Sequence, residues 1–97
     1  MRFLVQWKVP LNKRRDVLEA FANMSTNDDQ ADHGDTIKLI GRSSMPNWKG
    51  FAIVETDDPT AIMGWMINWM DAIDDIDVTP IVSDEEGRAL GKQKLSQ

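Results

Sequence analysis

A chain of 97 residues makes one domain with room for one modest core, and it has no cysteine, which excludes disulfides and thiolate metal sites. Its formal net charge of −5 is uneven: residues 1–50 carry +2 and residues 51–97 carry −7, with no Lys or Arg between Lys49 and Arg88. An acidic domain without a basic stripe is a poor partner for nucleic acid or an anionic membrane, and no apolar run is long enough to span a bilayer.

The first element is a strand. Phe3, Val5, Trp7 and Val9 alternate with Arg2, Leu4, Gln6 and Lys8, and Pro10 closes the run. Phe3 to Val5 follow one basic residue and soon meet Gln6 and Lys8, which does not read as a signal peptide. Together with the absence of cysteine, this predicts a cytoplasmic protein. Asn12 then caps a helix with Val17, Leu18, Phe21 and Met24 at core spacing. Its first turn holds Lys13, Arg14 and Arg15, cations that oppose the helix dipole. They read as a solvated charge run, with an anion contact as the functional alternative.

Ser25 to Asp35 shows no apolar period and reads as a long acidic loop. It holds Asp28, Asp29, Asp32, Asp35 and the only histidine, His33, beside Gly34. The spacing fits no EF-hand loop, so neither a metal nor a cofactor is expected. His33 is the one candidate for an acid–base group. The second strand runs from Thr36 to Ser43, with Ile37 and Leu39 on one face and Lys38, Ile40 and Arg42 on the other. Trp48 sits at the tip of the following loop, as a lid over a pocket or a contact with a partner. The third strand, Phe51 to Thr56, completes a hairpin.

Asp58-Pro59 starts a helix expected to reach about Ala72. Ile62, Met66, Trp69 and Ile73 form one stripe, Met63, Ile67 and Met70 a second, and Trp65 lies between. A helix on the surface of a monomer shows a polar half. This one does not, which predicts burial on two sides: one against its own sheet, the other against a second subunit or the chain's own tail. The fourth strand, Ile76 to Val82, contains Pro80 and belongs at a sheet edge. Ser83-Asp-Glu-Glu caps a short terminal helix, with residues 91–97 expected to fray.

The order β-α-β-β-α-β predicts an α+β, ferredoxin-like fold over residues 1–90. A four-stranded antiparallel sheet in the order 4-1-3-2 carries two helices on one face. The other face is half apolar and half charged, which suggests a polar-lined cavity between two facing sheets. Lys38, Arg42, Trp48 and Glu55 are the candidate ligand-binding residues, with Arg42 and Glu55 facing each other across the hairpin.

The opening Met-Arg-Phe-Leu-Val strand, Ile-Gly-Arg at 40–42, Ile-Val-Glu-Thr-Asp-Asp-Pro at 53–59, Trp65, Trp69 and Val-Thr-Pro-Ile-Val at 78–82 resemble a small bacterial family, the domain of unknown function 3303. The resemblance spans roughly residues 1–86. It implies a dimeric α/β-barrel assembly of ferredoxin-like protomers and no particular reaction. The expected function is a self-associating, non-enzymatic small-molecule-binding or accessory protein, as a homodimer or higher homo-oligomer. The alternatives are a cofactor-independent monooxygenase- or isomerase-like enzyme on a small aromatic or carbonyl compound, with His33 as acid–base group and Arg42 holding an anion, and a structural interaction module.

Overall fold

A computed structural model describes residues 1–97. Its elements are β1 (Arg2–Lys8), a 3-10 turn (Leu11–Lys13), α1 (Arg14–Ala22), α2 (Thr26–His33), β2 (Lys38–Ser44), β3 (Lys49–Glu55), α3 (Pro59–Asn68), β4 (Asp74–Ile81) and α4 (Asp84–Leu95). The four strands form one antiparallel sheet in the order β2-β3-β1-β4. The fold is α+β and ferredoxin-like, with two helices instead of one in the first crossover. Pro80 lies on an edge strand, where its missing amide hydrogen breaks no internal ladder. No helix is long and apolar enough to cross a membrane.

The alternation of β1 and β3 divides the sheet into two faces. Phe3, Val5, Val9, Ala52 and Val54 point to the helix side and are buried with Ile37, Ile62, Trp65, Met66 and Ile73. Leu4, Phe51, Ile53 and Ile81 lie on the other, open face and are only half-buried. The first stripe of α3 supplies Ile62 and Met66 to the core, and Trp65 joins them. The second stripe stays bare: Met63 is 67%, Ile67 50% and Met70 62% exposed. The terminal helix therefore does not cover it.

Asp58 accepts from the Thr60 amide at the start of α3, as its sequence signal requires. The helix stops at Asn68, and Trp69 to Ala72 form turns, so it is shorter than the apolar run. The open loop expected from Ser25 to Asp35 is instead α2. Ser25 Oγ accepts from the Asp28 amide, and Asp28 Oδ2 accepts from the Ser25 amide, a reciprocal capping box. Asn12 caps nothing; it lies in the 3-10 turn, and α1 begins behind Lys13 without a side-chain cap. Strand β4 begins two residues earlier than the apolar pattern suggests. The Ser83–Glu86 capping box holds the terminal helix as expected, but the helix continues through residues 91–95 instead of fraying.

One irregularity changes the site. Leu39 pairs with Val54, but Gly41 pairs with Ile53, so β2 carries a bulge at Ile40. Strict alternation puts Arg42 on the open face with Lys38. The extra residue turns Arg42 over, opposite Ala52 on the helix side.

Candidate functional site

All four tryptophans of the chain line one cleft of about 320 Å³ on the helix side. Its floor is the end of the sheet, with Trp7, Val9, Arg42 and Ser44; α3 and the turn after it supply Trp65, Met66, Trp69 and Ile73. Val17, Leu18 and Phe21 form the opposite wall, and Met45, Pro46 and Trp48 of the β2–β3 turn close one end. The periodic apolar face of α1 thus faces this cleft. None of its residues is buried; Leu18 is 56% and Phe21 44% exposed.

The tryptophans are held from two directions. Trp7 meets Trp65 edge to face, with centroids 6.4 Å apart. Gly50 makes room for Trp7: a Cβ there would sit 2.5 Å from the indole ring. Trp65 and Trp69 lie one helical turn apart and donate their Nε1 hydrogens to one oxygen, Asp32 Oδ2, at 2.9 and 2.7 Å. Asn68 Nδ2 donates to the Asp32 carbonyl at 2.9 Å. Asp32 therefore ties α2 to α3 and satisfies both indole hydrogens, leaving ring carbon to face the cleft.

Two arginines flank the aromatic walls. Arg42 donates from both terminal nitrogens to Asp29, at 2.7 and 3.0 Å, and its guanidinium lies 4.9 Å from the Phe21 centroid. Asp29 and Asp32 occupy neighbouring positions on α2, so this helix brings one carboxylate to the arginine and one to the indoles. Arg14, in the first turn of α1, lies 5.1 Å from the Trp48 centroid. Its Nε is buried and has no hydrogen-bond partner.

Of the candidate residues, Arg42 and Trp48 line the cleft. Lys38 and Glu55 pair with each other on the opposite, open face, and Arg2 Nε donates to Glu55 Oε2 at 3.3 Å. Arg42 and Glu55 do not face each other: the register sets Glu55 opposite Lys38 and Arg42 opposite Ala52, and the bulge at Ile40 turns Arg42 to the other face. His33 ends α2 and is buried edge to face against Trp65, with centroids 6.2 Å apart. Its Nδ1 lies 2.9 Å from the Gly34 carbonyl, an acceptor, so this nitrogen carries the ring hydrogen. His33 is packed behind the tryptophan wall, not in a loop. No three His, Asp or Glu side chains converge as a metal-ligand set.

The sequence reading missed Asp29, Asp32 and the convergence of the tryptophans. The signal for them was Ser25-x-x-Asp28, which starts a helix and places Asp29 and Asp32 on one face; Trp65 and Trp69, four apart, are the complementary pair.

The family model described as a domain of unknown function (DUF3303) matches residues 1–95. No curated protein and no solved structure matches the chain.

Proposed function

This chain belongs to the DUF3303 family, and from the cleft it builds we propose that it is a self-associating, non-enzymatic protein that binds a small, flat, apolar molecule. The observation that carries this reading is the gathering of all four tryptophans around a cleft of about 320 Å³. That volume lies at the small end of the range for ligand sites, and an apolar lining with few polar groups is their usual chemistry. Asp32 holds two of the rings in place, so the walls are preformed.

The one acid–base candidate does not reach the cleft. His33 is buried behind Trp65 and is not part of the lining, and Arg42 is paired with Asp29. Both facts support binding over turnover. Self-association rests on the bare stripe of Met63, Ile67 and Met70 and on the uncovered sheet face. In a homodimer of the α/β-barrel type a second copy covers the sheet face, and the α3 stripe, on the other side of the sheet, is left for a further contact. A cytoplasmic location is part of this proposal, and the absence of cysteine is compatible with its reducing conditions.

The test is titration of the ¹⁵N-labelled protein with a panel of bicyclic aromatics, neutral and charged. The four indole Nε1–H resonances should shift, and Trp69→Ala should weaken binding roughly tenfold without loss of the fold. Recovered ligand should be chemically unchanged. Indole signals that ignore the whole panel overturn the reading; a converted ligand overturns its non-enzymatic part.

A further inference from the structure

We infer that the cleft takes an aromatic acid, whose carboxylate is received by Arg14. The inference rests on the reading of the cleft as a small-molecule site and adds the chemical class of its ligand.

The two arginines beside the cleft stand in different states. Arg42 is complete: a bidentate carboxylate on its edge and an aromatic ring on its face. Arg14 has the aromatic ring, Trp48, but no anion. The ion pairs of the chain are the amino terminus with Asp57, Arg2 with Glu55, Arg42 with Asp29 and Arg88 with Asp84; none involves Arg14. Its Nε is buried without an acceptor, the only such side-chain atom in the protein.

The position of Arg14 adds to its need for an anion. It opens α1 beside Lys13 and Arg15, at the positive end of the helix dipole, and Asp16 is the only acidic residue of that turn. Cations placed there weaken the helix, and a bound anion relieves them. No ion pair engages the terminal nitrogens of Arg14, and their end-on fork matches the two oxygens of a carboxylate; the enclosed Nε is out of a ligand's reach. Trp48 joins this cation to the cleft, because its ring carries Arg14 and lines the cavity. An aromatic body among the indoles would extend its acidic group toward Arg14. Of the charged residues that line the cleft, Asp32 is occupied by the Trp65 and Trp69 indoles, Arg42 is paired with Asp29, and Lys49 is exposed to solvent; none opposes such a ligand directly.

The experiment compares 2-naphthoate with its neutral amide, 2-naphthamide, by calorimetric titration at neutral pH and low salt. Wild-type protein should bind the acid roughly tenfold more tightly than the amide. Arg14→Gln should abolish that preference while changing amide affinity by less than about twofold. Arg14→Lys, which keeps the charge and loses the fork, should retain part of it. Equal affinity for acid and amide in the wild type overturns the inference and leaves the apolar cleft standing. A preference that survives in Arg14→Gln does the same. Failure of both compounds to bind removes the cleft reading and this inference with it.

Discussion

Trp48 holds φ at 62°, a backbone region that bulky residues rarely enter. Pro46 and Asn47 turn the chain between β2 and β3, the Trp48 amide donates to the Met45 carbonyl, and the Met45 amide donates to Lys49. Glycine is the usual residue at the left-handed position after such a turn. A side chain there costs about 1–2 kcal/mol. The strain is tolerated because the Trp48 carbonyl accepts from Val9 and the ring packs between Arg14 and the cleft. Relief of strain and loss of the wall can therefore be separated. Trp48→Gly should be more stable than Trp48→Ala by about 1 kcal/mol in urea denaturation, since both lose the ring and only alanine keeps the strained backbone. Both should bind an aromatic ligand roughly tenfold more weakly. If alanine proves as stable as glycine, the strain account is wrong. The sequence marked Trp48 as unusual, because a loop tip seldom exposes an indole. It misplaced Arg42, because a period of two reverses after a bulge; Gly41, isolated inside a strand pattern, was the available warning.

Helix α2 shows why one element was missed and another was found. Apolar periodicity reveals helices that bury a greasy stripe, and α3 has one in Ile62 and Met66. Helix α2 buries only His33 and docks through Asp29 and Asp32, so its hydropathy pattern resembles that of a loop. Its termini carry the information instead. The Ser25 amide, and then the Ser25 hydroxyl, lower the Asp28 carboxyl from its ordinary 3.8; the Ser83 amide and hydroxyl lower Glu86 from 4.5 in the same way at the start of α4. A carboxyl whose folded pKa is depressed contributes stability that is fully present above its ordinary value. That contribution disappears as pH falls through the lowered folded value. The double variant Asp28→Asn, Glu86→Gln should therefore melt a few degrees below wild type at pH 6, and the gap should close on acidification below pH 4. Both carboxylates are solvent-exposed, which keeps the gap small. Circular dichroism melts across this range check the sign: a gap that widens in acid contradicts the capping account.

The shape of the whole chain supports the proposed self-association. Its radius of gyration is 15.8 Å and its extents are 54 × 28 × 20 Å, whereas a compact chain of this length has a radius near 13 Å. Helix α4 contributes no buried residue and leaves Leu90 54% and Leu95 89% exposed. A twelve-residue helix with Gly87 and Gly91 inside it is marginal in water, even with its capping box and with acids at its start and lysines at its end. The bare stripe of α3 and the open sheet face are equally unpartnered within residues 1–97. In the proposed homodimer, identical copies would pair around a twofold axis through one of these surfaces; the α3 stripe and the open face lie on opposite sides of the sheet, so a single contact would not cover both. Sedimentation at micromolar concentration should therefore give twice the 11.0 kDa chain mass. Met63→Glu with Ile67→Lys changes only exposed side chains and decides whether the α3 stripe joins the interface: a folded species of single mass shows that it does. If that variant remains dimeric, the interface lies on the open sheet face or on α4, and a further variant ending at Val82 separates these two. A dilute wild-type monomer with its full helical signal would mean that α4 stands alone, against the energetics of a short glycine-containing helix.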